Sequence, residues 1–148
     1  MTKIDEFDER ILQELQNDGR ISNTELASRI GLSPSACLRR VQELERSGII
    51  MGYKAVVNKS LLGIGFTAYI TVGLSVHTKK SQRDFEKAIV QSPEVRECHN
   101  VTGSFEYLLR VETQDLASYK FFHTDVLGTL PQVSSISTFV VMESPKTN

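Results

Sequence analysis

The sequence predicts an α+β fold, with helices in its first part and a sheet in its second. Three observations lead to this prediction. Apolar residues recur at helical spacing up to about residue 50, as they do where each helix buries one face. From Phe66 to His77 apolar and polar residues alternate, which is typical of a strand with one buried face. Helical and strand-like patterns then follow, giving the order β-α-β-β-α-β.

Length and composition limit the class of protein. A chain of 148 residues, 40% of them apolar, suffices for one ordinary domain or two small ones. No stretch approaches the roughly 20 apolar residues of a membrane span, and the N-terminal MTKIDEFDER is too charged for a signal peptide. Cys37 and Cys98 form no C-x-x-C pair, so neither a disulfide framework nor a zinc site is indicated. We expect a cytoplasmic protein with no membrane segment.

Three helices are expected before residue 50. Their apolar residues are Ile4, Phe7, Ile11 and Leu15, then Leu26 and Ile30, then Cys37, Val41 and Leu44. The second helix starts with a capping box, in which the Ser22 hydroxyl and the Glu25 carboxylate each accept a free N–H group. Gly31 ends that helix, Ser33-Pro34 begins the third and Gly48 ends it. Two helices joined by such a short turn indicate a helix-turn-helix.

The third helix has the surface that a DNA-reading helix requires. At about 100° per residue, one face carries small and polar residues at its start and basic residues beyond them. Such a face approaches base edges closely while arginine contacts guanine or phosphate. The candidate DNA-binding residues are Ser33, Ser35, Ala36, Arg39, Arg40, Gln42 and Arg46. The alternative is a charged face that contacts only solvent.

The distribution of charge along the chain favours a nucleic-acid partner, although the total charge does not. The whole chain carries −1. Residues 1–19 have two basic and six acidic side chains, a net charge of −4, whereas residues 20–60 have seven basic and three acidic side chains, a net charge of +4. The second segment therefore has the local basic field that binding to double-stranded DNA requires.

The rest of the chain predicts a ferredoxin-like domain. A short strand is expected at Tyr53–Asn58, and Gly63 and Gly65 indicate a hinge after it. The inward residues of the first long strand are Phe66, Ala68, Ile70, Val72, Leu74 and Val76. Those of the two helices are Phe85, Ala88 and Ile89, then Leu116, Tyr119, Val126 and Leu130, and the later strands are Val95–Val101, Tyr107–Val111 and Val133–Met142. This order builds an antiparallel sheet with both helices on one face.

Nearly the whole chain resembles the Lrp/AsnC (leucine-responsive, feast/famine) transcriptional regulators. The resemblance lies in residues 4–58, from IDEFDERILQ to YKAVVN, in GSFEYLLRV and in LPQVSSISTFVVME. It implies an N-terminal winged-type helix-turn-helix and a C-terminal domain that oligomerises and binds small molecules, typically amino acids. It also implies that the Tyr53–Asn58 strand pairs with its dimer mate and that the homodimer assembles further, often into an octamer.

The resemblance gives a role to the turn between the second and third strands of the sheet. In relatives the matching segment lines an amino-acid pocket between dimers, and close leucine-responsive relatives carry Asp at the positions of Ser104 and Glu106. Backbone N–H groups around Gly103 and Ser104 can receive a carboxylate, and Glu106 can pair with an ammonium. The candidate effector-binding residues are Thr102, Gly103, Ser104, Phe105, Glu106, Tyr107 and Leu108. The alternative is that Glu106 is a solvated turn residue and Phe105 a packing residue at a subunit contact.

Other functions have less support in the sequence. RNA-recognition domains share the β-α-β-β-α-β order, but VTGSFEYLLRV lacks their basic-glycine-aromatic pattern. No nucleophile, base or cofactor motif indicates an enzyme, and His77, His99 and His123 have no metal-ligand spacing. We therefore predict a transcriptional regulator that is not an enzyme. Its expected parts are a DNA-binding domain at 1–52, a strand and hinge linker at 53–65 and an effector-binding and oligomerisation domain at 66–148.

Overall fold

The computed structural model describes residues 3–147. Residues 1, 2 and 148, which the predicted domains include, lie outside the described residues. The chain divides into two compact units, Met1–Val57 and Asn58–Asn148. Each unit has a hydrophobic core of its own.

Three helices form the first unit: α1 at Glu6–Asn17, α2 at Asn23–Ile30 and α3 at Pro34–Arg46. Their shared core consists of Ile11, Leu26, Ala27, Ile30, Cys37 and Leu44, each at most 2% exposed. The predicted inward positions Ile11, Leu26, Ile30, Cys37 and Leu44 are therefore confirmed, and Ala27 adds to them. Phe7 differs, because it is 36% exposed at the edge of the α1 face.

The start of α2 departs from the predicted capping box. Ser22 Oγ accepts the Glu25 N–H at 3.1 Å as expected. The Glu25 carboxylate, however, pairs with Arg29 one helical turn later at 2.7 Å, because a guanidinium is a stronger partner for a carboxylate than a neutral N–H. The end of α2 follows the prediction, since Gly31 takes the left-handed conformation with φ of 80°.

Arg40 ties α3 to the start of α1. Its guanidinium contacts Asp5 Oδ2 at 2.7 Å and Asp8 Oδ1 at 3.2 Å, and it lies 5.1 Å from the centre of the Phe7 ring. Asp5 and Asp8 also form a capping box with each other at the start of α1. One arginine of α3 therefore contacts the same two carboxylates that begin α1, which fixes the position of α3 against that helix.

The strand predicted at Tyr53–Asn58 is wrong for the single chain. Residues 51–58 belong to no helix or strand, and Met51 and Val56 are 94% and 100% exposed. A strand requires a neighbour to pair its N–H and C=O groups, and within residues 3–147 no strand pairs with this segment. Pairing with a second copy of the chain stays a prediction.

The second unit is a four-stranded antiparallel sheet with two helices. The strands are β1 at Phe66–Leu74, β2 at Val95–Asn100, β3 at Tyr107–Thr113 and β4 at Val133–Val140. The helix α4 at Lys79–Val90 joins β1 to β2, and α5 at Leu116–Asp125 joins β3 to β4. Short 3-10 turns lie at Ser60–Leu62 and Leu127–Thr129. The strand order β2-β3-β1-β4, with antiparallel pairs throughout, confirms the predicted ferredoxin-like arrangement.

Both helices pack against one face of the sheet. The buried residues of this core are Ala68, Ile70, Val72, Leu74, Phe85, Ile89, Tyr107, Leu109, Val111, Tyr119, Phe122 and Leu127. Two predicted inward positions are wrong. Val76 is 48% exposed because β1 ends before it, and Leu116 is 65% exposed because it is the first residue of α5.

The Arg40 contacts give the helical unit a dependence on pH. The hydrogen bond from Arg40, followed by that from the Asp8 backbone N–H, lowers the pKa of Asp5 in the folded chain. Such a carboxylate stabilises the fold above its unfolded pKa of about 4 and loses that contribution as the pH falls through its folded pKa. We expect Arg40→Ala to lower the urea midpoint at pH 7 and to reduce the further loss of stability below about pH 4.

The matched control for this prediction is Arg46→Ala. Arg46 pairs with Glu43 within its own exposed stretch of α3, at 2.5 Å, and an exposed pair of this kind contributes little. This variant should keep nearly the wild-type midpoint in urea titrations followed by far-UV circular dichroism. An Arg40→Ala midpoint equal to that of wild type at pH 7 would contradict the tying role of Arg40.

Candidate DNA-binding face and effector turn

The start of α3 is fixed by hydrogen bonds to its own N-cap and to α2. Ser33 Oγ accepts the Ala36 N–H at 3.2 Å, and Pro34 occupies the first turn. The Asn23 side-chain amide of α2 donates to the Pro34 carbonyl at 2.8 Å. Ser33 therefore acts as the N-cap of α3. Ser33 is exposed, whereas Ala36 is half-buried.

The exposed side of α3, which we call the DNA face, consists of Ser35, Leu38, Arg39, Gln42 and Arg46. Their spacing of three or four residues places them along one side of the helix. Cys37 lies on the opposite side in the core, where burial raises the pKa of its thiol. Leu38 is absent from the residues predicted from the sequence, although it lies three positions after Ser35 and is 45% exposed. Its side chain is of the kind that contacts a thymine methyl group.

The three arginines predicted to bind DNA differ in the partners that they already have. Arg39 makes no hydrogen bond or ion pair with any residue in the described part of the chain. Arg40 is bound to the two carboxylates of α1, and Arg46 donates to both oxygens of Glu43, at 2.5 and 2.8 Å. Of these three arginines, Arg39 is therefore the one whose guanidinium is free to bind a ligand without first breaking an ion pair.

The effector turn, residues 101–106, joins β2 to β3. Two hydrogen bonds to the Glu106 carbonyl close it, from the Val101 N–H at 2.9 Å and from the Asn100 side-chain amide at 3.0 Å. Gly103 has φ of 130°, a conformation that glycine adopts without steric cost. The backbone N–H groups of Gly103 and Ser104 donate to no acceptor among the described residues. Both residues are exposed, so these two donors are open to an anion.

The Glu106 carboxylate is held against the end of β1. Its Oε2 accepts the Leu74 N–H at 2.7 Å, and its Oε1 lies 2.9 Å from His77 Nδ1. Its backbone N–H donates to the Val72 carbonyl at 3.0 Å. The bond to Leu74 lies where the pairing of β1 with β4 shifts register after Gly73. With its side chain only 19% exposed, Glu106 is mostly buried, which disfavours a solvated turn residue. A packing role for Phe105 at a subunit contact stays an alternative.

The other predicted effector residues occupy different environments. Thr102 is exposed and Phe105 is half-buried. Tyr107 is 1% exposed, and its hydroxyl donates to Glu86 at 2.9 Å. Burial and the Glu86 carboxylate raise the pKa of Tyr107, so its hydroxyl stays protonated. Leu108 is half-buried and points to the opposite side of the sheet from Tyr107. The structure thus places Tyr107 in the core and Thr102, Gly103 and Ser104 at the surface.

A charged cluster that the sequence did not reveal lies at the end of β3. The Glu112 side chain is 2% exposed and contacts Lys59 and Arg110, with Arg96 Nε at 3.6 Å. A buried carboxylate requires such cations to offset its lost hydration. Its role is therefore to hold the segment around Lys59 to the sheet.

Within residues 3–147 no three or more His, Cys, Asp or Glu side chains lie together as metal ligands would. The helices of the same range are all too short or too polar to span a bilayer.

Both halves of the chain match known families. Residues 4–51 match the winged helix-turn-helix DNA-binding domain, and residues 67–148 match the Lrp/AsnC ligand binding domain. The leucine-responsive regulatory protein of Escherichia coli is 41% identical over 143 residues, which span 97% of this chain and 87% of that protein.

Solved structures agree with these matches. A transcriptional regulator of Neisseria meningitidis, solved in complex with L-methionine, has a TM-score of 0.94 and 34% identity, covering 98% of this chain and 94% of that one. An AsnC family transcriptional regulator of Agrobacterium tumefaciens has a TM-score of 0.91 and 28% identity, covering 97% and 94%. The chain therefore belongs to the Lrp/AsnC family of DNA-binding transcriptional regulators.

Proposed function

We propose that the chain regulates transcription by binding operator DNA through the DNA face of α3 and an amino acid at the effector turn. The main observation in support of DNA binding is the Arg39 guanidinium in the middle of that face, which has no hydrogen-bond or ion-pair partner among the described residues. A bidentate arginine contact to guanine is the commonest base-specific contact in the major groove. Ser35 and Gln42 provide further polar contacts to base edges, and Leu38 provides an apolar contact.

The remaining predicted DNA residues receive supporting roles. We propose that Ser33 and Ala36, at the start of α3, lie against the sugar-phosphate backbone, where helix N-termini favour phosphate. Arg46 contacts phosphate after leaving Glu43, since an exposed ion pair is weak. Arg40 acts differently from the sequence-based expectation, because its contacts with Asp5 and Asp8 make it a positioning residue for α3.

The effector turn carries complementary partners for both charged groups of an amino acid. The open N–H groups of Gly103 and Ser104 suit the carboxylate, and the Glu106 carboxylate suits the ammonium. The half-buried Phe105 favours an apolar side chain on the effector. A relative named for its response to leucine and a similar structure that contains L-methionine support this class. We therefore propose leucine or methionine as the first effectors to test.

We further propose a homodimer that assembles into larger oligomers, with an octamer as the expected form. Large apolar side chains are exposed in the segment after α3, at Met51 and Val56, and on the outer side of the sheet, at Tyr69 and Phe139. Exposed apolar surface of this extent is typical of an interface. Strand pairing of Tyr53–Asn58 with a second copy would cover part of it, and the effector would lie between dimers. The domain boundaries 1–52, 53–65 and 66–148 belong to this proposal.

A regulator that is not an enzyme accounts for the remaining features. Burial raises the pKa of both Cys37 and Cys98, so neither thiol is a ready nucleophile. On the outer side of β3 the chain presents Leu108, Arg110 and Glu112 instead of the aromatic residues that stack RNA bases. We place the protein in the cytoplasm on the strength of its proposed DNA partner and amino-acid effector, and we propose no metal or cofactor.

Arg39→Ala should weaken binding to the preferred duplex and relax base preference at one position of each half-site. The expected loss is about 1–3 kcal/mol, the value of a bidentate base contact. Binding to randomised duplex libraries would measure both effects. Arg83→Ala, an exposed arginine of α4, is the control and should bind as wild type does. Unchanged affinity and base preference in Arg39→Ala would show that the DNA face is misassigned.

Multi-angle light scattering at micromolar concentration should give the mass of a dimer or of a multiple of it, with an octamer expected. Phe139→Asp places a charge on the exposed outer side of β4 and should reduce that mass, because burying an unpaired charge in an interface is costly. A wild-type monomer under these conditions would contradict the proposed assembly.

Glu106→Gln should weaken the binding of L-methionine or L-leucine by about 1.5–3 kcal/mol, because the ammonium loses a charged acceptor. The glutamine oxygen can still accept the Leu74 N–H, so thermal unfolding should change little, and so should DNA binding without effector. Glu97→Gln, an exposed carboxylate of β2, is the matched control. Equal calorimetric affinities for wild type and Glu106→Gln would remove Glu106 from the effector site.

A further inference from the structure

The two oxygens of Glu106 have one buried and one exposed partner. The Leu74 N–H that binds Oε2 belongs to β1, and Leu74 itself is only 3% exposed. His77, which lies beside Oε1, is in the segment between β1 and α4, and its side chain is 66% exposed. Rotation of the exposed imidazole away from Glu106 breaks no backbone bond. Oε1 is therefore the position at which an incoming ligand can replace an existing partner.

A protonated imidazole and a ligand ammonium are alternative cations for the same carboxylate oxygen. Two cations close to one carboxylate repel each other, so the presence of one weakens the binding of the other. An ion pair as exposed as that of His77 is individually weak, which makes its displacement inexpensive. Imidazole changes charge between about pH 5 and pH 8, so the strength of this competition depends on pH in the physiological range.

We propose that His77 competes with the effector's ammonium for Oε1 of Glu106, so that protonation of His77 lowers effector affinity. This inference rests on the proposed function of the effector turn. It makes His77 a determinant of effector affinity in a position 29 residues before Glu106 in sequence. Binding of the amino acid then releases a proton from the protein at pH values where His77 is charged.

Of the charged groups around this site, Glu106 is the one that pairs with His77. The others are paired elsewhere or exposed. Lys80, near the start of α4, pairs with Asp84 at 2.8 Å, and Lys79 is exposed. The neighbouring strand β4 contributes Ser134 and Ser135, which do not titrate in this range, and Ser134 donates to the Gly73 carbonyl at 3.1 Å.

Isothermal titration calorimetry of L-methionine and L-leucine into the full chain at pH 8 and pH 5.5 tests the inference. Wild-type affinity should fall about two- to fivefold at the lower pH, the range expected for an exposed ion pair. His77→Gln should bind equally well at both pH values. At pH 5.5, comparison of buffers with different ionisation enthalpies should show proton release for wild type and none for His77→Gln. His99→Gln is the matched control, since His99 is 58% exposed and lies 3.5 Å from Glu97.

The outcomes separate this inference from the function on which it rests. A pH-dependent wild type, an unresponsive His77→Gln and a wild-type-like His99→Gln support the competition. Binding whose pH dependence and proton release are the same in wild type and His77→Gln overturns it and leaves the effector turn in place. Failure of both amino acids to bind wild type at pH 8 overturns the inference together with the proposed effector site.

Discussion

The hydrogen bond from the Leu74 N–H to Glu106 Oε2 sets the geometry on which the effector turn depends. At this point the pairing of β1 with β4 is irregular, and a side-chain acceptor replaces the regular ladder for this N–H at 2.7 Å. The same bond draws a carboxylate out of water and holds it beside the turn between β2 and β3. In our proposal this carboxylate binds the effector's ammonium through its second oxygen, Oε1, which lies 2.9 Å from His77 Nδ1.

Charge pairing has a comparable effect in the helical unit. The net positive charge of residues 20–60 overstates the number of cations free to meet DNA, because Arg29, Arg40 and Arg46 are all paired with carboxylates of their own unit. These pairs orient the helices, and the exposed ones contribute little energy individually. Of the three arginines of α3, they leave Arg39 without a partner among the described residues, on the exposed side of the helix. In our proposal, base recognition therefore depends on few residues, and several of the basic side chains of the segment stabilise the helical unit instead.

Short-range patterns allowed most of the fold to be predicted, whereas contacts between distant residues were not visible in the sequence. Helix and strand periods depend on neighbours within a turn or two, which is why all five helices longer than one turn within residues 3–147 and the four sheet strands were expected. The periodic pattern does not show where an element ends, so Val76 and Leu116 were assigned inward. The residues joined by the Arg40 contacts are more than 30 positions apart in sequence, and His77 and Glu106 are 29 positions apart. No local sequence pattern indicates such pairs.

A crystal structure of the chain grown with L-methionine would show directly where the effector binds. We expect the ammonium within hydrogen-bond distance, about 2.7–3.2 Å, of Glu106 Oε1. We also expect the carboxylate on the N–H groups of Gly103 and Ser104, and a second copy of the chain closing the pocket. A methionine bound away from the turn, with Glu106 contacting no part of it, would contradict the proposed effector site.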